Sequence, residues 1–274
     1  MVSQSEIIGQ SISRIDGPDK VTGETLYTAD VILPGMLTGK ILRSPHPHAR
    51  IRRFDTTAAW AVPGVKAIVT GDDARGFLQG KVLRDLPVLC WDKVRYIGDR
   101  VAAVAAETPE AADEALLLID VDYEVLPAVF DPMEAMQTDA PLLHDDIAAY
   151  VGAPTEFLAP DIHNGQTRLY WTKGDLDKGF AEADVVLEHS FSIPSRHQGY
   201  IEPFTSVIDI DDDGRIQAWC SSKAPFRARR QMAEALGLNE ETIRVNVTSI
   251  GGDFGGKGDR SEEHTSELQS RAYL

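Results

Sequence analysis

The run Gly251-Gly252-Asp253-Phe254-Gly255-Gly256-Lys257-Gly258 combines residue types that can do chemistry through the backbone itself. Four glycines within six positions remove side chains and permit positive φ, so successive N–H groups can converge on an oxyanion. The β-branched stretch Ile243–Val247 just upstream favours a strand, which places the glycines where a strand ends and a turn faces a ligand. A plain flexible turn is the ordinary alternative. The segment from Gly251 to Lys257 also satisfies GxxxxGK, the opening of a nucleotide-binding P-loop. That loop needs Ser or Thr next, to ligate Mg²⁺, and position 258 is glycine. ATP or GTP hydrolysis is therefore disfavoured.

Other candidates are weaker. Glu202, in RHQGYIEP, is a buried-looking carboxylate near His197 in sequence and suggests a catalytic carboxylate–imidazole pair. His46 and His48 flank prolines in a rigid turn, with too few further ligands for a metal. The acidic triplet Asp211–Asp213 before Gly214 lacks the spaced carboxylates and distal glutamate of a calcium loop and reads as a hairpin turn. Cys90 and Cys220 are far apart with no CxxC partner, which excludes a disulfide framework, a cysteine zinc site and an iron–sulfur cluster on this chain; both read as buried apolar thiols in a reducing compartment.

The elements that must position these residues can be read from pattern. Leu37–Leu42 and Val65–Val69 are β-rich runs bounded by Pro and Gly. Val101–Ala106 predicts a buried strand leading into a helix capped by Thr108, with Pro109 in the first turn where its missing N–H goes unneeded. Ile119–Val125 returns as a strand. Residues 1–17 predict a polar arm, and residues 138–168, rich in Pro, Asp, Ala and Asn, a long connection between domains. Beyond it come a short helix over Asp175–Glu182 and strands over Val185–Ile193, Thr205–Ile210 and Arg215–Cys220. A helix then runs from Pro225 to Gly237, with Phe226, Ala233 and Leu236 on one face.

Composition sets the bounds. The 274 residues, 43% hydrophobic and 26% charged, suffice for about two folded domains. A net charge of −16 argues against a general nucleic-acid or anionic-membrane binder, and the short basic clusters Arg50–Arg53 and Arg227–Arg230 read as solvated faces. No signal-peptide pattern and no spanning apolar stretch is evident, so the expectation is a soluble cytoplasmic protein. The string RSEEHTSELQS at 260–270 has no apolar periodicity and matches the conceptual translation of a common sequencing adapter. Residues 260–274 are accordingly read as an artefact and set aside from fold reasoning, with the native protein continuing differently past Asp259.

Six segments in order, RIDGPDKVTGETLYTAD (14–30), GKILRSPHPHARI (39–51), KVRYIGDRVAAVAAETPEAADEAL (93–116), VDYEVLPAV (121–129), RHQGYIEP (196–203) and IGGDFGGKGD (250–259), resemble the large, molybdopterin-binding subunit of the xanthine dehydrogenase/aldehyde oxidase family of molybdenum hydroxylases. The resemblance implies an α+β (mixed α/β) chain: an arm over 1–19, an a/b hammerhead domain over 20–131, a linker over 132–167, and over 168–259 the truncated start of the molybdenum-cofactor-binding domain. It implies cofactor contacts from Lys223, Gly251, Gly252, Asp253, Phe254 and Gly255, with the loop over the metal's oxo ligand and Phe254 beside the substrate pocket. For the stretch around Glu202 it implies a packing role. The cofactor would be molybdenum–molybdopterin in its cytosine dinucleotide form, with FAD and a [2Fe–2S] cluster on partner subunits.

Two departures matter. Lys223 stands where the family often has an oxo-binding Gln, and an exposed lysine at a helix start is its ordinary alternative. Gly258 stands where xanthine-type enzymes carry a substrate-binding Glu, which makes purine specificity less expected. The family's general-base Glu would lie beyond this chain, so no catalytic residue and no metal ligand is assigned here. The implied reaction is hydroxylation of an N-heterocycle, aldehyde or aromatic carbon with oxygen from water, in a fragment inactive alone. A non-catalytic hammerhead module that docks electron-transfer subunits remains the alternative from a different class.

Overall fold

The computed structural model describes residues 9–80, 83–152, 161–166, 168, 170–194 and 196–257. The adapter-like stretch 260–274 lies outside them. In the first half, a one-and-a-half-turn helix α1 (Gly17–Thr22) closes on Gly23 in the left-handed region (φ 82°). Then come β1 (Thr38–Arg43), β2 (Ala49–Asp55), α2 (Thr57–Trp60), β3 (Val65–Thr70), β4 (Leu78–Gln79), β5 (Leu86–Pro87), β6 (Lys93–Val94), β7 (Arg100–Ala106), α3 (Pro109–Leu117), β8 (Asp120–Val125) and α4 (Pro132–Ala135). The second half contains α5 (Leu176–Glu182), β9 (Ser206–Ile210), β10 (Ile216–Cys220), α6 (Pro225–Leu236) and β11 (Ile243–Val247). This is the mixed α/β architecture expected.

Three small sheets carry the fold, ordered β1-β7-β3, β6-β2-β8 and β11-β10-β9. The first two are antiparallel throughout. Between them and α3 lies the main core of Ala59, Val62, Ala102, Val104, Ala106 and Ala115, extended by Ala49, Ile51, Cys90, Val94 and Val101. The Thr108 hydroxyl accepts from the Ala111 N–H at 3.1 Å, the N-cap that starts α3. Strand β2 was not expected: its alternation of buried Ala49 and Ile51 with exposed Arg50 and Arg52 is masked by the arginines, which pair across the sheet (Arg52 with Glu124, Arg53 with Asp120).

The connection over 138–168 is more than a wrapping linker. Lys93, its side chain 3% exposed, donates to the Leu142 carbonyl (3.3 Å) and to Asp145 (3.1 Å). Arg95 Nε reaches the Leu143 carbonyl (3.2 Å), and the Asn164 amide clamps the Ala135 and Pro141 carbonyls (3.0 and 2.9 Å). The segment's described residues form a strap bound to the first half by hydrogen bonds that its carbonyls accept from Lys93 and Arg95 and that Asn164 donates to Ala135. In the third sheet, β10 and β11 run parallel around the crossover helix α6, and the β9–β10 hairpin turns on Asp211, whose carboxylate accepts the N–H groups of Asp213 and Arg215. The strand expected over Val185–Ile193 has no ladder partner and stays irregular among the described residues.

Candidate functional site

Strand β11 delivers the chain to Gly251, and the loop is then pinned at both ends by one atom. Glu202 Oε2 accepts the Gly251 N–H at 2.7 Å and also takes the Lys257 ammonium. Lys257 is fully buried, stacked 4.9 Å from the Tyr200 ring centroid and 5.8 Å from that of Phe204. The glycines explain the close approach. A Cβ at Gly251 would lie 2.6 Å from Glu202 Cβ, one at Gly252 2.8 Å from Tyr200 Cβ, and one at Gly256 2.5 Å from Tyr200 Cε1. Three of the four glycines are therefore required by packing against residues 198–202, where sequence alone suggested a ligand or a plain flexible turn.

Gly255 differs. It sits at φ 86° with nothing within 4 Å of its would-be Cβ, next to Phe254 at φ 47° and 76% exposed. The Gly256 N–H closes the turn on the Asp253 carbonyl (2.6 Å), and the Lys257 N–H is taken by the Asp253 carboxylate. That leaves the amides of residues 252–255 with no acceptor among the described residues, on a backbone that side chains already hold in place. Successive donors of this kind fit an oxyanion or a metal oxo group.

Lys223 joins the same site from the start of α6: its ammonium lies 2.8 Å from Asp253 Oδ2 and its side chain is 47% exposed. Burial raises the Asp253 carboxyl, but the Lys223 hydrogen bond, the Lys257 N–H and both lysine charges outweigh it and hold the acid below its ordinary value. Sequence reasoning thus placed Lys223, Gly251, Gly252, Asp253, Phe254 and Gly255 in one neighbourhood, and the structure brings them together.

It missed the role of Lys257. The ammonium is committed to Glu202 and two rings, so it is not available to a phosphate as in a P-loop. The signal that could have found it is a lone lysine in the glycine run and a lone glutamate in RHQGYIEP, each needing a counter-ion once buried. Glu202 does not pair with His197, whose Nδ1 accepts the Gly199 N–H (3.0 Å) while its ring leans on Tyr200. His48 Nδ1 donates to the Pro127 carbonyl (2.6 Å) and His46 packs edge-on against Tyr123, so the two histidines do not converge. Cys90 is buried, which with the nearby Asp99 raises its thiol, while Cys220 is only half-buried in β10; neither is in a disulfide.

Comparison with known proteins places both halves. The aldehyde oxidase and xanthine dehydrogenase a/b hammerhead domain matches residues 22–127, and the molybdopterin cofactor-binding domain matches residues 160–270. The chain is 39% identical over 245 residues to a probable xanthine dehydrogenase subunit of Bacillus subtilis (strain 168), covering 89% of this chain and 31% of that protein. It is 33% identical over 257 residues to the "Nicotinate dehydrogenase large molybdopterin subunit" of Eubacterium barkeri, covering 93% of this chain and 57% of that protein. Reconstituted CO dehydrogenase from Oligotropha carboxidovorans superposes with a TM-score of 0.79 at 33% identity, over 97% of this chain and 34% of the other. The chain thus spans from 31% to 57% of the length of these relatives.

Proposed function

Because the chain belongs to the xanthine dehydrogenase and aldehyde oxidase family of molybdenum hydroxylases, homologous to its large subunits, we propose that the loop 251–257 is one wall of a molybdenum–pterin site. The observation that carries this is the run of four amides without acceptors among the described residues, on a loop clamped at both ends. The residues that would hold the group are the backbone donors of Gly252, Asp253, Phe254 and Gly255, with Lys223 beside them. Phe254, exposed and at φ 47°, would form an apolar face for substrate. Asp253 keeps the Lys223 ammonium oriented.

The cofactor, in the cytosine dinucleotide form, would supply oxidative hydroxylation of an N-heterocyclic, aldehyde or aromatic carbon with oxygen from water. This chain's own part is donor placement and exclusion of water, prepared before the ligand arrives. Electrons would leave through partner subunits carrying FAD and [2Fe–2S], since Cys90 and Cys220 cannot hold a cluster.

Two measurements test the reading. The 274-residue chain, made in a host that synthesises the cofactor, is expected to hold far less than one molybdenum per chain by elemental analysis and to lack hydroxylase activity; stoichiometric molybdenum overturns its inactivity in isolation. Residues 223 and 251–257 transplanted into the Bacillus subtilis relative are expected to preserve that protein's molybdenum content. Loss of molybdenum from a folded chimera would remove this loop from the cofactor site.

A further inference from the structure

The strap contains a dipeptide that can react with itself. Asn164 is followed by Gly165, and with no Cβ on the second residue its backbone nitrogen can reach the asparagine side-chain carbon. The other asparagines, Asn239 and Asn246, precede Glu240 and Val247, whose side chains hinder that approach.

Neither member of the pair is freely exchanged in this fold. A Cβ at position 165 would lie 2.7 Å from Ile162 Cβ and 2.9 Å from the Ile162 carbonyl oxygen. Asn164 sits at φ 54°, in the left-handed region that asparagine tolerates better than most residues. Its Nδ2 donates to the carbonyls of Ala135 (3.0 Å) and Pro141 (2.9 Å), and its Oδ1 accepts the Leu143 N–H (3.0 Å). Both amide hydrogens are thus spent on fastening the strap. The residue that fastens it is also the one that can be converted.

The same bonds hold the reaction off. Cyclisation needs the Gly165 nitrogen, stripped of its proton, at Asn164 Cγ. In the seated strap that N–H is donated to the Ile162 carbonyl at 2.8 Å, while three partners immobilise the carboxamide. Both constraints last only as long as the strap stays in place.

We propose that Asn164–Gly165 is a spontaneous deamidation site that records opening of the strap and makes it permanent. In the open strap the Gly165 nitrogen gives its proton to solvent and bonds to Asn164 Cγ. The bond from Cγ to Nδ2 breaks, and Nδ2 takes up a proton and leaves as ammonia. Water then adds to the cyclic imide and opens it, leaving an aspartate or its β-linked isomer at position 164. Neither product restores the clamp, because a carboxylate has no hydrogen to donate and would face the oxygens of Ala135 and Pro141. The proposal stands apart from the cofactor reading, and no metal enters its test.

The full chain is held at mildly alkaline pH, natively and in urea, and conversion at Asn164, Asn239 and Asn246 is followed by peptide mass spectrometry. In urea Asn164 is expected to react fastest of the three, and in the native chain it should react slower by about tenfold or more. Lys93→Met removes the strap's bonds at Leu142 and Asp145 and keeps an apolar stem. It should restore much of the unfolded rate while β7 stays protected from hydrogen exchange. If that variant disturbs β7, urea at concentrations below the unfolding of β7 takes its place. Asn164→Asp, the product made directly, should lower protection over 140–150 by about tenfold with β7 unchanged. An Asn164 inert even in urea, a native rate equal to the unfolded one, an open strap that reacts no faster, or full protection in Asn164→Asp overturns the proposal.

Discussion

Strand β7 in the first half and residues 185–193 in the second are both rich in apolar side chains, yet Val101, Ala102, Val104 and Ala106 are buried whereas Val185, Leu187, Phe191 and Ile193 are bare. The difference lies in neighbours. β7 is central in its sheet, bonded to β1 on one side and β3 on the other, with α3 across its face. In the second half the core shrinks to Ile216, Ala233 and Ile243 with Met232 and Val245 beside them. The first half is held by its own apolar core. The second is held, around its loop, by charge: Glu202 with Lys257, Asp253 with Lys223, and Arg229 with Glu240.

If that contrast is right, the largest effect should come from breaking the clasp. Lys257→Met leaves Glu202 buried without its counter-ion, and a loss of about 3–5 kcal/mol is expected in the local stability of residues 249–257, read by hydrogen exchange. Adding Glu202→Gln should recover part of that loss. Equal damage in the double variant would mean that the pair is not the support.

A smaller step separates the halves directly. Val104→Ala should lower the stability of the first half by about 2 kcal/mol in urea unfolding, because Val104 is 2% exposed in a packed core. Val185→Ala, made at 72% exposure, should stay within about 0.5 kcal/mol of the parent. Similar costs at the two sites would contradict the division.

The mildest expectation concerns the strap. Burial, then the charges of Arg95 and Lys93, hold His144 down to about 4 from an ordinary 6.5. Between those values the unfolded strap binds the proton and the folded one does not, so stability rises with pH across this window and is lost as pH falls from about 6.5 through 4. Protection factors over 140–150, with the intrinsic exchange rate divided out, should therefore fall in acid while those of β7 hold, and His144→Asn should flatten that dependence.

Where an element depends on its own residues, it was legible in the sequence. The Thr108–Pro109 start of α3, the end of α6 at Gly237 and the strand Ile243–Val247 coincide with their residue patterns. Where an element depends on its surroundings, the pattern misled. Val185–Ile193 has strand chemistry but no ladder partner among the described residues, and β2 hides its alternation behind arginines that bond across the sheet. The loop was recognisable from its glycines, but the reason for most of them was not. Only the folded chain shows that Tyr200 and Glu202 occupy the space their side chains would need. Lys223 and Asp253 were assigned to one site by the resemblance alone, and nothing in their spacing of thirty positions announced that they touch.

The single oxygen of Glu202 that accepts both Gly251 and Lys257 has a topological consequence. It turns residues 251–257 into a closed ring fastened without a covalent bond. A ring has a fixed circumference. Surface loops ordinarily absorb added or deleted residues at small cost, because their ends stay where they are and the slack goes to solvent. Here one residue more or fewer would detach an end from its anchor at Glu202. The loop lies at the surface, but its length is as constrained as that of a buried strand.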